Sequence, residues 1–316
     1  MKIVLNYSPS EPHWDELRHA AQGARLDIAT DEASARDLVH EADAVLGNRY
    51  FLQSIERATR LRWFQSNSVG MDLVLRARDY LRDVTVTNVR GIYSTEMAEH
   101  ATALVSSLFR GLHELRDAQR DKRWAPRVLR TISGSSFLIL GWGSVGAAIG
   151  KRLRALGGVV RGVGRTRTVV LSAGGEELLS AGADWRVLLP EVDCVVMALP
   201  LTSRTRGIVG DRELASMKST AYVVNVGRGG TLVESALIAA LKESRLAGAA
   251  LDVFEDEPIE NASALWSIPS LLITPHVARS REQMPPYKWE SLFVENLRRF
   301  VEGRPLLNVV DLEREY

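Results

Sequence analysis

The sequence has almost no cysteine, no long apolar run and no excess of charge of either sign, and each deficit excludes a class of protein. The single cysteine, Cys194, cannot form an internal disulfide, and its apolar neighbours predict a small buried side chain. No stretch approaches the roughly 18 consecutive apolar residues that a membrane span needs. With 40 basic and 39 acidic side chains, the net charge of +1 argues against a nucleic-acid-binding surface. We therefore expect a cytoplasmic protein that binds neither nucleic acid nor a membrane.

The rest of the composition is that of an ordinary globular protein. The 316 residues are 46% apolar and 7% aromatic, with 24 Gly and 11 Pro, which excludes disordered and fibrous classes. At roughly 150 residues per domain, this length predicts two domains. The apolar run at Met1–Asn6 is too short for a secretory signal and predicts a first β-strand.

Short apolar runs alternate with helical patterns along the chain, in two series. This rhythm predicts βαβ units, which build parallel sheets. Between the series, a helical pattern from Thr95 to about Gln119 predicts one long helix, and a further helix is predicted over Trp289–Val301. The fold prediction is therefore α/β, with two doubly wound parallel-sheet domains of Rossmann or flavodoxin type and a cleft between them. The predicted domains are residues 1–98 with 278–316, and residues 99–277.

A glycine-rich turn follows the predicted strand Phe137–Leu140 and precedes a predicted helix. In its G-x-G-x-x-G pattern the first glycine permits a tight turn, the second lets a pyrophosphate approach, and the third lets the helix pack closely. The helix N-terminus offers N–H groups and partial positive charge to phosphates. The pattern alone is weak, but its strand–turn–helix setting predicts dinucleotide binding. The residues involved are Gly141, Trp142, Gly143, Ser144, Val145 and Gly146.

The next strand lacks the acidic residue that would bind a ribose 2′-hydroxyl. Gly164 stands at that position, and Arg165, Thr166 and Arg167 follow it. Without the carboxylate a 2′-phosphate is not repelled, and two guanidiniums and a hydroxyl can bind it. We therefore predict NADP(H), with NAD(H) as the weaker possibility. The alternative is a solvated turn that happens to be basic.

Three polar residues follow three later strands at their carboxyl ends. Arg228 lies between glycines, Glu257 lies in an acidic loop, and His276 follows the last strand. Because ligands of open α/β sheets bind at the carboxyl ends of strands, we expect all three to converge beside the reactive end of the dinucleotide. Their plainer alternatives are an exposed turn, a solvated carboxylate and a structural histidine. Asp252 is either an ordinary residue at a strand end or a hydrogen-bond partner of the nicotinamide amide.

Several longer motifs resemble those of the D-isomer-specific 2-hydroxyacid dehydrogenase family and occur in the family's order. Their segments are Gly141–Gly146, Leu199–Thr205, Asn225–Gly229, Leu251–Pro258 and Thr274–Ala278. The resemblance covers nearly the whole chain. Within the family, the segment Gly91–His100 and the Arg-Thr-Arg turn most resemble glyoxylate/hydroxypyruvate reductases. The resemblance makes the first predicted domain the substrate-binding and catalytic one and the second the dinucleotide-binding one.

The resemblance also implies a role for each residue of the rim. Arg228 would bind the substrate carboxylate and polarise the keto oxygen. His276 would protonate the developing alkoxide as hydride arrives from NADPH, and would act as base in the reverse direction. Glu257 would hydrogen-bond His276 and keep it protonated. The backbone N–H groups of Val69 and Gly70 would receive the substrate carboxylate, unless their loop is a plain strand-to-helix turn.

Further cofactor contacts are implied by the resemblance, and no metal site is. These contacts are at Leu199, Pro200, Thr205, Val226, Gly227, Asp252 and Ala278, together with Arg228 and His276. Trp124 resembles a position that in relatives can reach the neighbouring subunit's active site, with a core or interface aromatic as the alternative. The segment Arg279–Arg281 is more basic than the family pattern, which leaves the choice of keto acid open.

The prediction is thus an NADP(H)-dependent D-2-hydroxyacid dehydrogenase, forming a homodimer as the family implies. Its expected substrates are small 2-keto acids such as glyoxylate and hydroxypyruvate. The alternative is a nucleotide-sensing, corepressor-like protein on the same fold, with little or no turnover.

Overall fold

The computed structural model describes residues 1–164, 168–172, 175–179, 184–279 and 287–316. The chain divides into two compact units: the first unit is Met1–Ile92 with Arg281–Tyr316, and the second unit is Tyr93–Ser280. Each unit has its own sheet. Among the described residues, no helix has both the length and the apolar character needed to cross a membrane.

Short strands and helices alternate along the described parts of the chain. The strands are β1 (Lys2–Leu5), β2 (Arg25–Ile28), β3 (Ala44–Leu46), β4 (Trp63–Gln65), β5 (Thr85–Thr87), β6 (Ser136–Leu140), β7 (Val159–Val163), β8 (Thr168–Ser172), β9 (Gly175–Leu179), β10 (Cys194–Met197), β11 (Tyr222–Asn225), β12 (Gly248–Leu251) and β13 (Leu271–Ile273). The helices are α1 (Glu11–Ala20), α2 (Glu32–Val39), α3 (Phe51–Ser54), α4 (Asp72–Leu75), α5 (Ser94–Phe109), α6 (Leu112–Arg120), α7 (Ser144–Ala155), α8 (Asp211–Ala215), α9 (Glu234–Lys242) and α10 (Glu290–Val301).

The first unit is built on a parallel sheet with the strand order β2-β1-β3-β4-β5. The segment after residue 286 completes this unit. The N–H of Val310 donates to the carbonyl of Val86 (2.8 Å), and buried Asn296 on α10 donates to Oε1 of Gln65 (2.8 Å). Since the loops after β3, β4 and β5 follow neighbouring parallel strands, they lie together at one edge of this sheet.

The sheet of the second unit has the order β13-β12-β11-β10-β6-β7-β8-β9. From β13 to β7 all pairings are parallel, which confirms the prediction of two α/β domains with parallel sheets. In contrast, β8 and β9 add antiparallel pairings at one edge. We did not predict them, because no helical pattern separates β7 from β8 and the βαβ rhythm therefore does not extend there.

Strand β6 lies at the centre of this sheet and is covered on both faces. Leu138 and Leu140 belong to one buried cluster, whereas Phe137 and Ile139 belong to the other. Successive side chains of a strand face opposite sides, so a strand buried on both faces is a continuous apolar run. This packing fixes the position of the turn that follows Leu140.

The prediction of one long helix from Thr95 to Gln119 is wrong. Helix α5 ends at Phe109 and α6 begins at Leu112, because Gly111 between them has a φ of +58°. A residue in the left-handed region cannot continue a right-handed helix, and glycine adopts that region without a steric penalty.

Candidate active site

The glycine turn after β6 is packed so closely that two of its glycines have no room for a side chain. Gly141 has a φ of +101°, and a Cβ added there would lie 2.5 Å from the carbonyl oxygen of Ala198. A Cβ added at Gly146 would lie 2.0 Å from the carbonyl oxygen of Gly141. Both glycines are therefore needed for the turn itself and for the approach of α7 to it.

Gly143 differs, because the space beside it is open. A Cβ added at this position meets no atom within 4 Å. Helix α7 begins at the next residue, and its first backbone hydrogen bond runs from the N–H of Ala147 to the carbonyl of Gly143 (2.9 Å). The N–H groups of Ser144, Val145 and Gly146 precede this bond and point out of the helix end. Open space beside free N–H groups fits the pyrophosphate of a dinucleotide.

Trp142 is engaged within the protein. Its ring packs on two glycines, where an added Cβ would come within 2.5 Å (Gly150) and 1.8 Å (Gly162) of ring atoms. Its backbone N–H donates to the carbonyl of Val163 (3.0 Å). The side chain therefore helps to pack α7 on β7 and is part of the core beneath the turn.

The residues expected to bind a 2′-phosphate follow β7 directly. Strand β7 pairs in parallel with β6, and its last residue, Val163, is opposite Leu140. The end of β7 therefore lies beside the glycine turn, which is where the second strand of a dinucleotide site ends. Arg165, Thr166 and Arg167 themselves lie outside the described residues.

Arg228 lies in a tightly built loop after β11 and not in a loose exposed turn. A Cβ added at Gly227 would lie 2.5 Å from the carbonyl oxygen of Leu199, and one added at Gly229 would lie 1.8 Å from the carbonyl carbon of Phe254. The Nη1 of Arg228 donates to the carbonyl of Gly227 (2.8 Å). Close packing on both sides fixes the backbone that carries the guanidinium.

Asn225 supports this loop from below, a role that the sequence analysis missed. Its Oδ1 accepts from the N–H of Gly227 (3.0 Å), and its Nδ2 donates to the carbonyl of Arg228 (3.1 Å). The side chain is buried. A signal was available, because a polar residue at the end of an otherwise apolar buried strand needs hydrogen-bond partners.

Glu257 and His276 form a hydrogen-bonded pair. The Oε2 of Glu257 lies 2.7 Å from the Nδ1 of His276, and Oε1 accepts from the N–H of Phe254 (3.0 Å). A carboxylate accepts hydrogen bonds, so it favours the proton on Nδ1 and leaves Nε2 as the ring nitrogen for a ligand. The two side chains are 33% and 41% exposed, so the pair is accessible from solvent.

The loop that carries His276 is anchored on Asp252, whose side chain is buried. Oδ1 accepts from the hydroxyl of Thr274 (2.6 Å) and the N–H of Val277 (2.9 Å), and Oδ2 accepts from the N–H of Ala278 (2.9 Å). Burial is the largest influence and raises the pKa of Asp252, but the hydrogen bonds around it together hold that pKa below its ordinary value. In this structure Asp252 therefore contacts the His276 loop.

His100 is the second residue that the sequence analysis left without a role. It lies in α5, and its Nε2 is 3.3 Å from Oδ1 of Asp252 and 3.1 Å from the hydroxyl oxygen of Thr274. Only the segment Gly91–His100 as a whole was singled out by resemblance. A sequence pattern could not pair residues that are 174 positions apart.

The remaining predicted cofactor residues line the ends of neighbouring strands. Thr205 closes its loop by donating to the carbonyl of Pro200 (2.6 Å) and accepting from the N–H of Thr202 (2.8 Å). The backbone of Leu199 packs against Gly227, and Val226 and Ala278 are buried.

The three rim residues follow adjacent strands, because β11, β12 and β13 pair in sequence as parallel neighbours. Glu257 contacts His276 directly, and the loop of Arg228 packs on the backbone of Phe254 through Gly229.

In the first unit, the loop after β4 presents two backbone N–H groups. Asn48 holds this loop by donating to Oγ of Ser68 (3.1 Å), and Asn88 donates to the carbonyl of Val69 (3.1 Å). Throughout the described ranges, no residue accepts a hydrogen bond from the N–H of Val69 or of Gly70. These groups are therefore available to an anionic ligand.

Two further residues from the sequence analysis lie in the second unit. Trp124 is 97% exposed, which excludes a core position within this chain. The guanidinium of Arg279 lies 4.8 Å from the ring centre of Tyr93, while Arg281 is outside the described residues.

Comparisons with known proteins agree with this geometry. Residues 102–278 match the NAD binding domain of the D-isomer specific 2-hydroxyacid dehydrogenases. A glyoxylate reductase of Pyrococcus furiosus is 32% identical over 306 residues, which are 92% of this chain and 85% of the relative. A glyoxylate reductase of Thermococcus gammatolerans is 34% identical over 251 residues, 76% of this chain and 74% of the relative.

Solved structures are similar over the whole chain. A D-isomer specific 2-hydroxyacid dehydrogenase from Xanthobacter autotrophicus Py2, crystallised with NADPH and MES, is 31% identical with a TM-score of 0.80, covering 100% of this chain and 99% of that one. An NADPH-dependent glyoxylate/hydroxypyruvate reductase from Sinorhizobium meliloti, crystallised with NADP and sulfate, is 26% identical with a TM-score of 0.80 and the same coverage. The family match over residues 102–278 and the similarity of a 32% identical relative over 92% of the chain lead to one conclusion. The chain belongs to the D-isomer-specific 2-hydroxyacid dehydrogenase family.

Proposed function

We propose that this protein is an NADPH-dependent reductase of small 2-keto acids, such as glyoxylate and hydroxypyruvate, and that it forms the D-2-hydroxy acid where a stereocentre arises. The observation that carries the proposal is the 2.7 Å contact between Glu257 and His276. It pairs the imidazole that is proposed as the proton donor with a carboxylate, at the same sheet edge as Arg228.

In this proposal the chain's own residues supply binding, orientation and the proton. Arg228 would bind the substrate carboxylate and polarise the keto oxygen, since a guanidinium matches a planar carboxylate in two parallel hydrogen bonds. The N–H groups of Val69 and Gly70 are the proposed carboxylate-binding groups of the first unit. His276 would donate the proton from Nε2 to the keto oxygen as negative charge develops there, and Glu257 would stabilise the imidazolium. NADPH, when bound, would supply the hydride.

The preference for NADPH rests on the end of β7. Gly164 provides no carboxylate to repel a 2′-phosphate, and Arg165 and Arg167 follow at once. The glycine turn beside this strand end, with its open side at Gly143, suits the pyrophosphate that NADPH and NADH share.

Steady-state kinetics test the proposal. We expect turnover of glyoxylate or hydroxypyruvate with NADPH, and we expect His276→Ala to lower kcat by about 10²–10⁴ while the Kd for NADPH changes little. Tight NADPH binding without turnover of any 2-keto acid would contradict the reductase and would instead support the nucleotide-sensing alternative. Circular dichroism melting of the variant controls for misfolding.

A homodimer and a cytoplasmic location belong to the same proposal. Trp124 and Val128 are 97% and 99% exposed, and they are the apolar side chains that we propose a second subunit covers. The single buried cysteine suits a reducing compartment. Sedimentation velocity should give the mass of a dimer for the native protein and a smaller mass for Trp124→Ser; a monomeric native protein would contradict the dimer.

A further inference from the structure

We propose that His100 is a positioning residue for His276: through Asp252 and Thr274 it holds the Thr274–Ala278 loop in the conformation that brings the catalytic imidazole against Glu257. The proposal rests on the proposed reductase function for its catalytic consequence. Its structural part, that His100 fixes this loop, stands independently of the reaction.

The Asp252 carboxylate fixes the loop on both sides of His276. The hydroxyl of Thr274 donates to it from two residues before the imidazole, and the N–H groups of Val277 and Ala278 donate to it from the two residues after. One buried anion thus anchors both ends of a five-residue loop. Hydrogen bonds to a charged acceptor are the stronger kind, so this anchor restrains the backbone more than neutral contacts would.

His276 needs such an anchor, because its backbone is in the left-handed region. Its φ is +52°, and its N–H donates to the carbonyl of Thr274 (3.0 Å). Side chains with a Cβ disfavour this region, so a non-glycine residue stays there only when the surrounding contacts determine its conformation. If the ends of the loop were released, the backbone would relax and the imidazole would leave the Glu257 carboxylate.

His100 completes the anchor from a rigid element. Its Nε2 lies 3.3 Å from Oδ1 of Asp252 and 3.1 Å from Oγ1 of Thr274. Because the Thr274 hydroxyl gives its own hydrogen to Asp252, its oxygen can accept from Nε2–H of His100. The histidine is held by α5, which packs on α7. One imidazole donor therefore ties both the anion and the first residue of the loop to the helical layer.

The Asp252 carboxylate depends on these donors, because its side chain is only 1% exposed. It cannot recruit water to replace a lost one without opening the structure, and an under-satisfied buried charge is unfavourable. Removal of the His100 donor should therefore loosen the loop locally and leave the glycine turn and the Arg228 loop in place.

The test compares His100→Leu, which removes the donor, with His100→Gln, which keeps a side-chain N–H. Amide hydrogen exchange in the protein without substrate is measured at Val277 and Ala278. We expect exchange at both amides to accelerate by about tenfold or more in His100→Leu and to return towards the native rate in His100→Gln. His113→Leu is the matched control, since His113 shares no hydrogen bond with any described residue of this loop.

Kinetics then test the catalytic consequence. We expect His100→Leu to lower kcat by about 10- to 100-fold, because a small misplacement of the imidazole slows the chemical step, and to change KM and the Kd for NADPH by much less. His100→Gln should recover most of kcat. A merely structural role would lower thermal stability in both variants alike and would not separate kcat from KM.

Each failure has a distinct signature. Unchanged exchange at Val277 and Ala278 in His100→Leu overturns the positioning role. Faster exchange with an unchanged kcat overturns its link to catalysis. A native protein that turns over no 2-keto acid overturns the proposed function, while the exchange experiment still decides whether His100 fixes the loop.

Discussion

The contact between Glu257 and His276 gives a single imidazole a defined orientation. Because Oε1 of the glutamate is already held by the N–H of Phe254, only Oε2 faces the ring, and the ring can satisfy it through Nδ1. In the proposed reductase, Nε2 is then the nitrogen that would meet a substrate. The Glu257 carboxylate thus both orients the His276 ring and places a negative charge beside it.

Glu257→Gln should separate these two contributions. The amide has the same shape but no charge, so it can hold the ring without stabilising the imidazolium. We expect kcat for reduction of glyoxylate to fall by about 10- to 100-fold, with the Kd for NADPH little changed. Asp256→Asn, an exposed change in the same loop, is the control and should keep native activity. Native kcat in Glu257→Gln would remove the carboxylate from the reaction.

Buried His13 in the first unit makes stability depend on pH. Burial lowers the pKa of His13 from 6.5 to about 4, and its Nε2 lies 2.7 Å from the Tyr7 hydroxyl. Between pH 6.5 and about pH 4, His13 is therefore protonated in the unfolded chain but not in the folded protein. The contribution of neutral His13 to the free energy of unfolding should be complete above pH 6.5. It should be lost, by about 2–3 kcal/mol in total, as the pH falls to about 4.

Urea unfolding at pH 7 and pH 4.5 measures this loss. In His13→Gln the stability at pH 7 should be closer to that at pH 4.5 than in the native protein. His19→Gln changes an exposed histidine of the same helix and should keep the native pH dependence. If His13→Gln kept it as well, another group would be responsible.

At the scale of elements, different glycines of the turn between β6 and α7 serve folding and ligand binding. A Cβ at Gly146 would meet the Gly141 carbonyl at 2.0 Å, whereas one at Gly143 meets nothing. Gly146→Ala should therefore cost about 1–3 kcal/mol of stability by overpacking and lower the Tm. Gly143→Ala should keep the Tm and raise the Kd for NADPH by about tenfold, which is 1.4 kcal/mol. The opposite pattern would contradict the assignment of this turn.

The strand end at Gly164 is expected to choose between the two nicotinamide cofactors. The double change Arg165→Ala with Arg167→Ala should raise the Kd for NADPH by about 10- to 100-fold and that for NADH by less than about twofold, since only NADPH carries the 2′-phosphate. Lys151→Ala, a basic residue of α7, is the charge control. Equal losses for both cofactors would contradict a 2′-phosphate site.

The sequence was sufficient for elements whose pattern is local. The apolar run Phe137–Leu140 and the glycines after it predicted the strand, the turn and α7, because burial on both faces and the need for close approach leave direct traces in residue type. The break at Gly111 was missed, since a lone glycine does not reveal its φ. Contacts between distant residues, such as that of His100 with Asp252, depend on tertiary packing and leave no periodic signal.

At the scale of the whole molecule, the first unit is assembled from two separate parts of the chain. Phe300 on α10 packs against Trp63 (ring centres 5.1 Å apart), and buried Asn296 bonds to Gln65. Deletion of residues 287–316 should expose this core and unfold the first unit, while the second unit, a single continuous segment, keeps its structure. Hydrogen exchange measured by mass spectrometry should show lost protection in all five strands of the first sheet, β1 to β5, and retained protection in the sheet of the second unit.

A shorter deletion provides the control for this experiment. Loss of Glu313–Tyr316 leaves Val310 and its bond to Val86 in place, so protection of the first sheet should persist. Persistent protection after the longer deletion as well would show that the first unit does not depend on its C-terminal segment.

The first unit consists of two segments that are separated by the second unit, and this arrangement sets the order in which its parts are synthesised. Residues 93–280 emerge before α10 does, so the second unit can fold while the sheet of the first unit still lacks its covering helix. Until α10 has emerged, the side chains that it will cover, Trp63 among them, stay open to solvent and to chaperones. The nucleotide-binding unit can therefore fold before the other unit has all of its chain.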